Sequence, residues 1–276
     1  MDLKKNIEEY TLVFLDLETT GLDFVMGDAI CEIGAVKMEK RRTIQTFHSL
    51  VNPGKLMPKE AYQVHKISDE ELKNAPAFKE IADNLIKFLK GSIICAYNAG
   101  FDVGFIKHYL KKNNYEAPDV PAVDILSMAR GLLELTRYNL ESVARYFNLD
   151  CSGGFHRAID DSLFAAKIFY KLIDVFKQKG IETLEELVSL CGLDNDIFQA
   201  QENKKIGVLR QVIDSEGVIK ARCFSCARRV EEALLKPLQV TQEKKGFYLC
   251  YQDKDSKVLR ISLRQILNLH TEPSDA

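Results

Sequence analysis

With 276 residues and 46% hydrophobic content, the chain has the length for one large domain and a small one, and the apolar supply for a packed core, which excludes a disordered chain. It holds no uninterrupted apolar run of about 18 residues and starts on the charged MDLKKNIEEY, so neither a membrane span nor a secretion signal is expected; its seven scattered cysteines fit reduced thiols in a cytoplasmic protein. The formal charge of −2 is uneven: residues 204–276 carry 8 Lys and 6 Arg against 9 Asp and Glu, a net +5, which leaves −7 for the rest, so a tail suited to polyanions, or merely a solvated imbalance, follows an acidic body.

In chain order, LVFLDLE (12–18) reads as a strand, and DAICEIGAVKM and TIQTFHSLV read as two more joined by the charged turn EKRR, a three-stranded meander. After VNPGK the segment AFKEIADNLIKFLK has helical periodicity, SIICAY is a short buried strand, and a helix runs on from Phe101 with Phe105, Ile106, Tyr109 and Leu110 on one stripe. A VPAVDI strand, two helices around residues 126–147 and a long amphipathic helix near 157–178 complete an α/β domain. Residues 179–203 read as a polar helical linker that starts at Gly180 and breaks at GLDND. A second, β-rich domain follows, with the strands GVIKARCF, LLKPLQV, GFYLCYQ and KVLRISL parted by turns such as QDKDSK. The expected domains are 1–178, 179–203 and 204–276.

Three clusters of residues carry chemistry. In FLDLETTG, Leu12, Phe14, Asp16 and Glu18 share one strand face by period-2 alternation, so two acids emerge side by side where the strand leaves the core. Such paired oxygens suit Mg²⁺ or Mn²⁺, although two solvated acids at an exposed strand end would have the same pattern. In YNAGFD, Asp102 lies at the start of a helix, where an acid is also favoured by the helix dipole alone. In GGFHRAIDD, His156 precedes the long helix and Asp161 falls among Ala158, Phe164 and Ala165, an apolar setting in which a lone charge is costly unless a cation compensates it. Asp160, beside it, reads as a surface acid near Arg157.

The order and separation of FLDLETTG, YNAGFD and HRAIDD resemble the three motifs of the DEDDh 3′→5′ exonuclease family, to which the proofreading epsilon subunit of bacterial DNA polymerase III belongs, over residues 10–178. VHKISDEELKNAPAF and RYNLESVARYF fit the intervening text of the family. The resemblance implies a ribonuclease H-like mixed five-stranded sheet flanked by helices, two divalent ions (Mg²⁺ or Mn²⁺) held by Asp16, Glu18, Asp102 and Asp161, and His156 as general base. It further implies that Thr19, Thr20, Gly21 and Leu22 meet the terminal nucleotide, with His65, Asn98 and Phe101 as sugar or phosphate neighbours. The substrate is then the 3′ end of single-stranded or frayed DNA or RNA, released as nucleoside monophosphates with little sequence preference. Two departures stand out: Tyr97 occupies a place where many relatives have His, and Lys66 replaces the Gly that usually follows His65.

Residues 206–269 resemble a WYL domain, an SH3-like β-barrel module, with Phe247, Tyr248 and Leu249 at the name-giving positions. That resemblance implies a ligand or nucleic-acid surface, for which Arg222, Arg260 and Arg264 are the candidates, since guanidinium forks suit phosphate; ordinary strand-face arginines would look the same. The rival to a nuclease is a regulator that binds nucleic acid or nucleotide without cleaving it and senses a ligand through the WYL-like module. A polymerase-associated subunit, whose tail serves for docking to a polymerase or repair partner, keeps the chemistry and changes the partner.

Overall fold

The computed structural model describes residues 2–151, 156–193, 196–244 and 246–271. It divides into two compact units, Asn6–Val175 and a second one made of Met1–Lys5 with Phe176–Ala276.

In the first unit the expected meander forms from β1 (Leu12–Thr19), β2 (Ile30–Glu39) and β3 (Arg42–Leu50), all antiparallel. Two short helices that sequence periodicity did not show, α1 (Lys59–His65) and α2 (Asp69–Leu72), come before α3 (Phe78–Leu89). Then β4 (Ile93–Ala96), α4 (Ala99–Lys112) and β5 (Ala122–Asp124) form a crossover, and α5 (Ile125–Leu132), α6 (Leu140–Tyr146) and the long α7 (Ala158–Gln178) follow. The sheet order is β3-β2-β1-β4-β5, with β4 and β5 parallel to β1. This is the mixed five-stranded, helix-flanked sheet that the sequence implies. β1 lies at its centre, and Phe14 packs edge-on against Phe169 of α7 with ring centroids 5.3 Å apart. β4 runs parallel to β1 and stops at Ala96, level with Leu15, so Asp16 to Thr19 continue past it paired with β2 alone, while the chain after β4 turns into α4.

The second unit contains α8 (Leu184–Cys191), α9 (Asp196–Asp214) and a second antiparallel sheet of β6 (Ile219–Phe224), β7 (Val230–Glu243), β8 (Gly246–Gln252), β9 (Val258–Ser262) and β10 (Ile266–Thr271), in the order β10-β6-β7-β8-β9. Ile206, Leu209 and Val212 of α9 form one core with Ile219, Ala221, Leu235, Leu249, Leu263 and Ile266. The segment expected as a polar linker is thus helical and contributes to this unit: α8 buries Leu184, Leu187 and Val188. Leu3 and Lys5 accept the first backbone N–H groups of α8, which joins the chain's beginning to its end. The strand β10 and the run of α9 to Asp214 were not expected from sequence. Among the described residues no helix is long and apolar enough to cross a membrane.

Candidate active site

Each site acid comes from a place where a regular element begins or ends. Asp16 and Glu18 stand on the last turns of the β1 pleat, Asp102 in the first turn of α4, and Asp161 in the first turn of α7. Asp102 accepts the N–H of Leu17, between the two β1 acids, at 3.1 Å, and is 2% exposed. Glu18 and Asp161 are also buried. Asp16 is half-buried as a residue, but its carboxyl is dehydrated and lies within reach of the charges of Asp102, Asp161 and Glu18.

The electrostatics follow from this crowding. Burial first, and then the charges of Asp102, Asp161, Glu18 and Glu32, hold the Asp16 carboxyl well above the usual carboxylate range. Burial does the same at Asp102 against the pull of its backbone hydrogen bonds. Glu18 is pushed up to about 8 by burial and by Asp161 and Glu32, and Asp161 to about 6, chiefly by burial. A cation bound among four acids whose ionisation is suppressed would favour their charged forms. One oxygen of Asp161, Oδ1, is buried and has no hydrogen-bond partner, while a ligand atom of Asp161 lies within 4.8 Å of ligand atoms of both Glu18 and His156. Hard oxygen donors around an orphaned acceptor fit a divalent cation such as Mg²⁺ or Mn²⁺.

His156 is exposed and holds the left-handed conformation at φ +73°, rare for a residue with a side chain. Its N–H donates to Asp161 Oδ2 at 3.2 Å, so the acid fixes the backbone that carries the imidazole. Ser152, Gly153 and Gly154, just before it in sequence, lie outside the described residues. Asp160 is exposed, as expected.

The turn after the acids is tightly built. Thr19 Oγ1 donates to the Gly21 carbonyl at 2.6 Å, and Thr20 Oγ1 accepts from Ala29 N–H at 2.9 Å. A Cβ on Gly21 would lie 2.3 Å from the Asp28 carboxylate, so a larger residue there would require that side chain to move. Leu22 points into solvent, 84% exposed. Asn98 is exposed at φ +70°, and Phe101 is half-buried with its ring 4.8 Å from that of Phe105. His65 is buried: its Nδ1 accepts from Ile67 N–H at 3.0 Å, and the ring is also bonded to the Thr19 backbone. It braces the turn from behind. Tyr97 donates to the Tyr138 carbonyl at 2.6 Å, a structural use of its hydroxyl.

Several residues around the site gave no motif signal. Asp124 Oδ1 accepts the N–H groups of Asn98 (3.0 Å) and Ala99 (3.1 Å) and so holds the start of α4. Glu32, fully buried on β2 and paired in register with Glu18, receives Arg157 and the first N–H of α7. The available signal was a charge inside the apolar run ICEIGAV, which must find a partner.

In the second unit the three expected arginines make internal contacts. Arg222 bonds Glu186 and the Gly180 carbonyl, Arg260 bonds Glu243 and lies 3.9 Å over the Tyr248 ring, and Arg264 donates to the Gly192 carbonyl at 2.9 Å and lies 4.1 Å over Phe198.

Residues 13–169 match the exonuclease family RNase_T. The DNA polymerase III subunit epsilon of Rickettsia felis is 39% identical over 199 residues, covering 70% of this chain and 85% of that protein. The PolC-type DNA polymerase III of Thermotoga maritima is 36% identical over 182 residues, which is 65% of this chain and only 13% of that polymerase, so the chain spans a small part of the PolC-type proteins it matches. The nuclease domain of 3′hExo, described as a DEDDh family member bound to rAMP, superposes with a TM-score of 0.54 at 17% identity over 63% of this chain and 95% of that domain, a likeness of fold. The match runs from β1 well into α7 and contains all three acid motifs, and on that ground the chain belongs to the RNase_T exonuclease family.

Proposed function

We propose that the protein is a metal-dependent 3′→5′ exonuclease that removes nucleoside monophosphates from single-stranded or frayed ends of DNA or RNA. The observation that carries this reading is the convergence of Asp16, Glu18, Asp102 and Asp161 from three elements, each with its ionisation suppressed by burial or by the others, next to His156. These four acids would hold two divalent ions, which when bound supply charge neutralisation and Lewis acidity for an in-line displacement at phosphorus.

The chain's own residues do the rest. His156 is the general base: it is exposed beside Asp161, and its imidazole offers a ring nitrogen that can take a proton. Its left-handed backbone and the bond from its N–H to Asp161 fix where the ring starts from. The Thr19–Leu22 turn offers backbone and an exposed apolar side chain to the terminal nucleotide; such contacts do not read base edges and so suit any sequence. Asn98 and Phe101, at the mouth of α4, are the sugar and phosphate neighbours. The WYL-like residues 206–269, within a tail whose net charge over residues 204–276 is +5, retain long strands, and a polymerase or repair assembly is the partner that the chain's epsilon-like relatives suggest.

Labelled single-stranded DNA and RNA incubated with the full chain in Mg²⁺, Mn²⁺ or EDTA tests the proposal. Stepwise shortening from the 3′ end is expected with either ion and none in EDTA. Asp16→Asn should lose the activity and stay folded, because it relieves carboxylate repulsion. Shortening in EDTA, or an active Asp16→Asn, would sink the metal-site reading, and binding without cleavage would favour the regulator.

A further inference from the structure

The proposed mechanism leaves one fully buried acid of the first unit without a task. Glu32 of β2 sits in register opposite Glu18. Its two oxygens are saturated: Oε1 accepts from Arg157 at 2.8 Å and from His48 Nε2 at 2.8 Å, and Oε2 accepts the Ala158 N–H at 3.0 Å. The guanidinium also reaches both oxygens through Nε at 3.2 Å, which makes a two-pronged clamp. A carboxylate so occupied has no lone pair to offer a metal, unlike Asp161.

The grip falls on three consecutive residues. His156 is held through its N–H by Asp161, Arg157 through its guanidinium by Glu32, and Ala158 through its N–H by Glu32. The residue just before α7 is Arg157, which has no acceptor with which to cap the helix start. Glu32 therefore provides the cap from another strand, and its charge faces the positive end of the helix. Two residues along the same face of β2, Gly34 makes the approach geometrically available: a Cβ there would lie 2.2 Å from the Ala158 carbonyl carbon. Together these two residues form a seat for the first turn of α7.

We propose that Glu32 is a positioning residue for the reaction, which sets the place of His156 through Arg157 and the α7 cap without binding metal or substrate. This rests on the exonuclease reading with His156 as base. If it holds, loosening the seat lowers turnover rather than substrate binding.

The test combines kinetics with hydrogen exchange. Glu32→Gln keeps shape and acceptor but removes the charge, and Arg157→Gln, at a side chain 42% exposed, is the variant that leaves the core untouched. For a short single-stranded oligonucleotide each variant should lose about ten- to a hundredfold in kcat, the scale of a small misplacement of a catalytic group, with KM within about twofold. In a double-mutant cycle with His156→Ala, the combined loss should fall well short of the product of the single losses, because both act through one group. In metal-free protein, exchange of the segment 156–161 should quicken about tenfold in both variants while β1 and β4 stay protected. Losses that multiply in full, an unchanged kcat, or unaltered exchange at 156–161 would each overturn the proposal. A wild-type protein without nuclease activity would instead refute the exonuclease reading, and the exchange measurement would still decide whether Glu32 holds the helix start.

Discussion

Burial sets the behaviour of the site acids before any cation arrives. Glu18, pushed up to about 8, and Asp161, pushed up to about 6, hold protons more tightly in the folded than in the unfolded chain. Extra protons on the folded state favour folding at low pH: the contribution is complete below the ordinary carboxylate range near about pH 4 and is lost as pH climbs through 6 and then 8. In EDTA the melting temperature should therefore fall from about pH 5 to about pH 9, and Mg²⁺, which binds the ionised acids, should raise it by an amount that grows over the same interval. A metal effect that is flat with pH would contradict the ligand assignment. The five motif residues were legible through the order of three short motifs that resembles the DEDDh family, since each cluster by itself left a plainer reading open. Glu32 was not, since its partner Arg157 lies 125 residues away, and a single strand shows a buried charge without showing what neutralises it.

Most strands and the helices α3, α4 and α7 announced themselves by period, whereas α1, of seven residues, and α2, of four, gave no periodic signal. What stops α1 is visible only in the structure: Lys66 caps it at φ +60°, the left-handed region where glycine sits at no steric cost. A glycine at this place would carry no such cost, and that makes a prediction. Lys66→Gly should raise stability by up to about 1 kcal/mol, seen as a higher urea midpoint at unchanged slope. A lower midpoint would mean that the ammonium of Lys66, 5.8 Å over the Tyr62 ring, outweighs the backbone strain. The end of the chain misled in a related way. β10 follows a short 3-10 turn, Leu263–Gln265, and the charged face of α9 read as linker because its apolar stripe meets a sheet that lies later in sequence.

For the whole molecule, composition separated an acidic body from a basic tail, but not where the division runs. The structure puts it between Val175 and Phe176, inside α7, and adds the first five residues to the later unit, a pairing that no local pattern could reveal. Because Arg222, Arg260 and Arg264 bind internal groups, the exposed lysines Lys204, Lys244, Lys254 and Lys257 are the better source of any strand retention. Changing these four to Gln should weaken binding of long single strands and flatten the dependence of log affinity on log salt by about 0.7 for each phosphate no longer neutralised, with short oligonucleotides hardly affected. An unchanged slope would point to docking or ligand sensing instead. The thiols have a practical side as well. Cys31 and Cys95 are buried with their ionisation strongly suppressed, Cys191 and Cys223 are buried too, Cys151 and Cys250 are half-buried, and Cys226 is the exposed one. A maleimide therefore meets its most accessible thiol at Cys226, in the second unit, while every site acid belongs to the first, so a dye or surface tether on the native sequence is directed away from the unit that carries those acids.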